Sequence, residues 1–210
     1  LGGAPRAGIK MGEGNNAEAN RIFNNAFSLL LIIGISIGLL TFIFSRQIIL
    51  LFGCPPSAVD FAVSYLKIYS CGTIFVMLAQ GLNPFILTQG YSLVAMGTVL
   101  LGAVINIILD PIFIFKLKMG VQGSSLATVI SQLCSCVCVI LFFFNRTSLF
   151  HFKVREMIFS FERIASILSL GFTPFVMTIT ECAIQVVFNI NLNRSTGGNR
   201  DYTAGLTVML

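Results

Sequence analysis

A run of 48 residues, positions 68–115, contains a single charged side chain, that of Asp110. One membrane-spanning helix needs only about 20 apolar residues, so the run is too long for one span. It predicts two spans, at residues 59–88 and 93–115, with a break at the polar sequence 89–92. A chain with such a run is predicted to fold inside a bilayer rather than in water.

The rest of the chain has the same character. It is 56% hydrophobic and 10% charged, whereas soluble domains carry roughly 25% charged residues. Further charge-poor stretches predict spans at 26–44, 119–145 and 164–192. The predicted fold class is therefore all-α, a polytopic transmembrane helix bundle whose first partner is the lipid bilayer. The net charge of +5 comes from basic residues at segment ends, which fits lipid headgroups and not nucleic acid.

Three segments are not complete spans. Residues 1–11 are predicted to be the end of a helix and 202–210 the beginning of another, so both ends of the sequence are predicted to be cut. Residues 146–163 mix charged and apolar side chains and are predicted to form an amphipathic segment on the membrane surface. Alternation of the spans puts seven Lys/Arg on one side and five on the other. This bias predicts that the first set, with residues 146–163, faces the cytoplasm.

Asp110 is the first candidate for function. A carboxylate in mid-membrane costs roughly 2.5–3.5 kcal/mol on insertion scales, so its presence needs a reason. Asn106 lies four residues earlier on the same helix face, and Pro111 leaves a backbone carbonyl without its donor. A carboxyl in such a polar pocket can bind and release a proton or Na⁺. The alternative is a solvated Asp-Pro pair at a helix end.

Glu181 is the second candidate, because it lies near the middle of its predicted span. We expect it to be shielded from lipid and functional, the alternative being a structural hydrogen bond between helices. A metal site at Cys134, Cys136 and Cys138 is not predicted, since no second ligand pair accompanies them. The metal prediction is thus none, apart from a possible Na⁺ at Asp110 or Glu181.

Sequence motifs of common enzymes are absent. The chain has no G-x-x-x-x-G-K-[ST], no H-E-x-x-H and no G-x-S-x-G. Its one histidine, His151, lies in the predicted surface segment, where a solvated role is expected. A membrane-embedded enzyme would need a clustered catalytic set, and none is seen, so the chain is predicted not to be an enzyme.

Several motifs together resemble the multidrug and toxic compound extrusion (MATE) family. They are Gly2-Gly-Ala-Pro5 with Gly12-Glu-Gly-Asn15, Asn83-Pro-Phe85 with Gln89-Gly90, Asn106-Ile-Ile-Leu-Asp110-Pro111, and Met119-Gly-Val-Gln-Gly123-Ser-Ser-Leu-Ala127-Thr128. Members of this family have twelve helices in two six-helix lobes. The resemblance implies that this sequence runs from the end of the family's second helix to the start of its eighth, without its first helix. It implies an N-terminal lobe at 1–145, a cytoplasmic inter-lobe linker at 146–163 and the start of a C-terminal lobe at 164–210.

The resemblance also implies roles for particular residues. In the family a polar cluster of the N-terminal lobe binds the coupling cation, and the matching positions here are Tyr65, Asn106, Asp110 and Thr128. Thr128 lies at a depth in its predicted span comparable to the depths of Tyr65 and Asp110 in theirs, counted at about 1.5 Å of rise per residue. Asn83 and Glu181 match positions on the substrate pathway.

The implied function is secondary active efflux of amphipathic or cationic drugs and other toxic compounds by H⁺ or Na⁺ antiport. The protein would be a multi-pass monomer of the plasma membrane, with small-molecule drugs or organic cations as partners and no cofactor besides the coupling ion. One alternative is a lipid-linked oligosaccharide flippase of the same superfamily, which would need a basic cavity that the predicted spans do not supply. Another is a membrane scaffold that transports nothing.

Overall fold

The computed structural model describes residues 2–52, 54, 56, 58–145, 148–153 and 161–195, and all of its regular structure in these residues is helical. The predicted helix at 202–210 lies outside them. The helices are α1 (Gly3–Gly12), α2 (Asn16–Ile43), α3 (Ser45–Leu51), α4 (Val59–Thr88), α5 (Ser92–Pro111), α6 (Val121–Phe144) and α7 (Phe161–Ser195), with a π-helical turn, Ile112–Lys116, directly after α5. Five helical stretches in the described part are long and apolar enough to cross a membrane. The predicted all-α membrane bundle is confirmed.

The helix boundaries follow local chemistry. The chain turns at Gly90, whose φ of 87° suits a residue without a Cβ, and this is the predicted break between α4 and α5. At the start of α2 the side chain of Asn15 accepts a hydrogen bond from the Glu18 N–H at 3.1 Å. Because of this cap α2 begins at Asn16 and runs on as one helix. The helix therefore starts ten residues before the span predicted at 26–44.

Helix α4 is the centre of the bundle. It packs against α2 on one side and α6 on the other, and α5 packs mainly on α6. The α2 contact is close because Gly34 and Gly38 face α4, where added Cβ atoms would lie 3.5 Å from Ile74 Cα and 3.0 Å from the Ser70 carbonyl oxygen. Small residues four apart allow helices to approach in this way. Within the described residues, α7 packs only against α1 and α2.

Phenylalanine rings fill the core at one end of the bundle. The ring centroid of Phe23 lies 4.6 Å from that of Phe143, 5.3 Å from Phe85 and Phe150, and 5.2 Å from Phe152. Phe150 is 1% exposed although it belongs to no helix. Buried aromatic pairs of this kind add about 0.5–1.5 kcal/mol each beyond the burial of their area.

Three amide side chains hold the segment 148–153 against the bundle. Asn20 Oδ1 accepts from the His151 N–H at 2.7 Å, and Asn24 bonds the carbonyl of residue 151 and the N–H of residue 153, both at 3.0 Å. Gln89 Oε1 accepts from the Leu149 N–H at 2.7 Å. This part of the predicted surface segment packs inward. Residues 154–160 are outside the described part, so the amphipathic linker and the three-part division of the chain stay predictions.

Candidate functional site

A polar cavity of about 250 Å³ lies between α4, α5 and α6. Its apolar walls come from small and β-branched residues, while its polar groups are amides and hydroxyls without a charge. The polar lining comprises Gln80, Asn83, Thr98, Asn106, Thr128, Ser131, Gln132 and Ser135. Such a pocket inside membrane-spanning helices offers many hydrogen-bonding groups to a polar ligand, an ion or water.

Two of the predicted cation-site residues meet directly in this cavity. Asn106 Nδ2 donates to Thr128 Oγ1 at 3.3 Å, which joins α5 to α6. The Thr128 hydroxyl in turn donates to the Ser124 carbonyl one helical turn earlier, at 3.0 Å. The hydrogen bond to Thr128 therefore fixes the Asn106 amide, including its side-chain oxygen, relative to α6.

Asn83, predicted for the substrate pathway, lines the same cavity. Its Nδ2 donates to Thr98 Oγ1 at 2.8 Å and to the Ala95 carbonyl at 3.0 Å. Asn83 lies 18 residues, about five turns, beyond Tyr65 on α4, and it shares this cavity with Asn106 of α5.

Asp110 lies one turn beyond Asn106 and is partly buried, but it is not part of the cavity lining. Its Oδ1 atom is buried and has no hydrogen-bond partner among the described residues. A buried polar atom without a partner costs about 1–3 kcal/mol, and such atoms in native proteins call for a specific explanation.

The backbone around Asp110 is irregular. Pro111 cannot donate a backbone hydrogen bond, and the next five residues, Ile112–Lys116, form a π-helical turn. Turns of this type are rare and are often found at functional sites. Gly123 on α6 passes so close that an added Cβ would lie 2.9 Å from the Phe113 carbonyl atoms. Helix α6 therefore rests on the turn that follows Asp110.

Tyr65 joins this group only in part. Its backbone carbonyl accepts from the Ser125 hydroxyl at 2.9 Å, which ties α4 to α6 three residues from Thr128. Its ring stacks on Tyr69, with centroids 6.1 Å apart. In the described part of the chain no hydrogen bond links its hydroxyl to the other predicted residues. The depth argument placed Tyr65 near the right helices but did not give its side-chain direction.

Glu181 is not brought to the site. It lies on α7, which does not contact α4, α5 or α6 among the described residues, and its side chain is exposed. The shielding of Glu181 from lipid stays a prediction. Among the described residues α7 meets α1 and α2 near its start, where Arg163 and Ile167 lie.

Sequence reasoning missed several polar residues of the cavity, namely Gln80, Thr98, Ser131, Gln132 and Ser135. The spacing of polar residues along α5 and α6 could have identified them. Thr98, Asn106 and Asp110 repeat at multiples of four along α5, and polar residues recur every three to four positions on α6 from Thr128 onward. A polar stripe of that period marks one face of a helix.

The family model named MatE matches residues 1–112. The chain belongs to the MatE family. Among curated relatives, the MatE chain is 30% identical over 172 residues to the "Multidrug export protein MepA" of Staphylococcus saprophyticus, covering 81% of this chain and 38% of that protein. It is 28% identical over 172 residues to the protein of the same name from Staphylococcus aureus strain NCTC 8325, again covering 81% and 38%. The chain thus spans well under half the length of the relatives it matches.

Solved structures agree with the MatE fold. One, described as the inward-facing conformation of a multidrug resistance MATE family transporter of the MOP superfamily, superimposes with a TM-score of 0.91. It is 23% identical, and the match covers 99% of this chain and 47% of the other. An outward-facing structure with the same family description gives a TM-score of 0.82 at 23% identity, covering 99% and 46%. At these identities the likeness establishes the fold alone.

Proposed function

We propose that this MatE protein exports amphipathic, often cationic, compounds across the plasma membrane in exchange for H⁺ or Na⁺. Membership of the family and the relatives named as multidrug export proteins support transport as the activity. The observation that carries the ion-coupled mechanism is the buried, unpartnered Oδ1 of Asp110. Ionisable groups inside membrane-spanning segments mark ion pathways and proton relays in transporters, and a buried carboxylate oxygen without a partner among the described residues fits that role.

The coupling step is the neutralisation of Asp110. A proton or Na⁺ that reaches its carboxylate removes a buried negative charge, and oxygen ligands of this kind suit hard cations. Asn106 lies one turn before Asp110 on α5, and its Nδ2 donates to Thr128 Oγ1 of α6 at 3.3 Å. Tyr65 fixes α4 to the same part of α6 through its backbone. We therefore expect ion binding at Asp110 to affect the packing of α4, α5 and α6.

Neutralisation is proposed to change how α5 packs. The π-helical turn and Pro111 leave this stretch with fewer regular backbone hydrogen bonds, so it deforms more easily than the rest of α5. A ligand shifts a conformational equilibrium only by its differential affinity for the two states. The ion favours one packing of α4, α5 and α6, and the drug favours the other. In the proposed two-lobe protein this difference drives alternating access.

Asn83 is proposed to line the substrate pathway, since it shares the cavity with Asn106. A substrate in this cavity would contact Asn106, one turn before Asp110, so substrate and ion would act on the same part of α5. The proposed substrate is a compound with an apolar body and a positive group. Glu181 is proposed for the pathway only through its match to the family, because the structure leaves it exposed.

Asp110→Asn tests the coupling. In the complete protein, reconstituted in vesicles, this substitution should lower gradient-driven dye efflux at least about tenfold, a loss of about 1.4 kcal/mol of coupling. Membrane insertion should be unchanged. Separate pH and Na⁺ gradients identify the ion. The matched control is Asp60→Asn, because Asp60 is an exposed carboxylate in the first turn of α4, and it should transport normally. Efflux in Asp110→Asn equal to the wild type would refute the proposal.

The same vesicle assay distinguishes a transporter from a scaffold, and the lining of the cavity argues against a flippase. A scaffold would give no gradient-dependent flux with wild-type protein. A flippase of lipid-linked oligosaccharides would need cationic groups in its cavity, and no Lys or Arg is found among the described residues that line the cavity between α4, α5 and α6.

A further inference from the structure

A second, very different cavity lies where the ends of α1, α2 and α7 meet. Its volume is about 280 Å³, and it is lined by Arg6, Lys10, Glu18, Ile22, Arg163 and Ser166. It shares no lining residue with the polar cavity between α4, α5 and α6. A site of this size is at the lower limit for drug-sized ligands. It fits a small polar group.

Among the described residues that line this basic pocket, positive charge exceeds negative charge. Arg6 and Lys10 are four residues apart on α1 and share a face, where like charges repel. Lys10 is paired with Glu13 at 2.6 Å, and Arg163 is paired with Glu18 at 2.6 Å. Arg6 has no ion pair in the described part of the chain, although it is half-buried and lines the pocket. Its guanidinium is the unmatched charge.

The position of the pocket narrows the chemical class of the ligand that it can bind. Arg163 is in the first turn of α7, and Glu18 is in the first turn of α2. Lys10 is in the last turn of α1. In a membrane-spanning bundle helix ends lie at the depth of the headgroups, which is where anionic lipids present their phosphates. Arginine binds phosphate with two parallel hydrogen bonds, and Glu18, the carboxylate among the described lining residues, is paired with Arg163.

We propose that this pocket binds a phosphate group, with Arg6 and Lys10 as its principal ligands and Arg163, held by Glu18, at its rim. The expected source is the headgroup of an anionic phospholipid in the adjacent leaflet. Free phosphate has the same chemistry and is the other source. The proposal does not depend on ion coupling at Asp110.

Binding can be measured on the protein purified in detergent. The probes are phosphatidylglycerol, phosphatidylcholine and inorganic phosphate, and the readout is thermal unfolding followed with a thiol-reactive fluorogenic dye. Cys136 is 2% exposed, so we expect its thiol to react only on unfolding, above a signal from the exposed Cys71 and Cys182 that is already present in the folded protein. Phosphatidylglycerol should raise the unfolding temperature at concentrations where phosphatidylcholine does not. Inorganic phosphate that protects equally well would identify free phosphate as the source and still support the site.

Variants locate the binding. Arg6→Gln should weaken the apparent affinity for phosphatidylglycerol about tenfold, which corresponds to one lost charge-assisted hydrogen bond pair. Lys10→Gln should weaken it as well, and Arg6→Lys should keep part of it. The control is Lys116→Gln, which removes an exposed cation at the end of the π-helical turn. Protection by neither anionic probe overturns the proposal. Equal protection of Arg6→Gln, Lys10→Gln and wild type overturns it too.

Discussion

At the scale of single residues, amide side chains form hydrogen bonds that join separate segments of this chain. Asn24 is fully buried and bonds the carbonyl of residue 151 and the N–H of residue 153. Asn83 similarly bonds the backbone and a hydroxyl of α5. An amide has both a donor and an acceptor, so it can satisfy irregular backbone that would otherwise be buried without partners.

Replacing Asn24 tests this role. Asn24→Ala removes both hydrogen bonds to residues 151 and 153, and we expect it to lower the apparent free energy of unfolding by about 2 kcal/mol. The measurement is dye-detected unfolding in detergent. Asn16→Ala is the matched control, because Asn16 is an exposed amide on the same helix, and its effect should be within about 0.5 kcal/mol. Equal effects of the two substitutions would show that the Asn24 contacts carry no stability.

At the scale of helices, α6 lies close to the π-helical turn after Asp110 because Gly123 has no Cβ. Gly123→Ala would place a methyl group 2.9 Å from the Phe113 carbonyl atoms. The backbone there cannot rotate away as a side chain could. We expect a loss of about 1–3 kcal/mol in stability, the usual cost of overpacking, and a weaker contact between α5 and α6.

Gly97→Ala provides the comparison. Nothing lies within 4 Å of a Cβ added to this glycine of α5, and alanine favours a helix interior by about 1 kcal/mol over glycine. This variant should be as stable as the wild type or more so by the same unfolding assay. If Gly123→Ala behaved like Gly97→Ala, helix α6 would not rest tightly on the π-helical turn.

The helices themselves could be predicted from the sequence. The bounds expected for α4, 59–88, are those found, because charges and the glycine turn at Gly90 mark the ends of an apolar run. The extension of α2 back to Asn16 was missed, since the Asn15 cap was not weighed against the polar residues that follow it. Local chemistry therefore decides helix ends in ways that hydropathy alone does not capture.

The site was predictable only within single helices. The pairing of Asn106 with Asp110 on one face follows from spacing, and so does the polar stripe of α6. The meeting of Asn83 with Asn106 depends on how α4 and α5 cross, which no spacing within one helix records. Tyr65 shows the same limit, since its depth was predictable but the direction of its ring was not. The coupling roles of all these residues stay predictions.

At the scale of the whole molecule, α7 is joined to the bundle through a small area. Gly2 on the N-terminal side of α1 lies against the backbone of Ile167 and Gly171, with no room for a Cβ. Arg163 Nε donates to Glu18 Oε1 at 2.6 Å beside this contact. Within the described residues, the docking of α7 therefore rests on close backbone packing and on one ion pair.

A double-mutant cycle can measure what the ion pair contributes. The Arg163 and Glu18 side chains are 27% and 25% exposed, so solvent screens the pair only in part. We expect Glu18→Gln, Arg163→Gln and the double variant to give a coupling free energy of about 1 kcal/mol, the upper end for pairs that solvent can reach. The coupling should decrease as salt is raised toward 1 M, where the screening length is about 3 Å.

The same carboxylate offers an internal comparison, because Arg21 Nη1 also approaches Glu18 Oε2, at 3.4 Å. That pair lies within α2 and is more exposed, so its cycle with Arg21→Gln should give only about 0.3–0.5 kcal/mol. A larger coupling for Arg163 than for Arg21 means that Glu18 stabilises the docking of α7 and not merely the first turn of α2. Equal couplings would leave the close packing of Gly2 against Gly171 as the contact that positions α7.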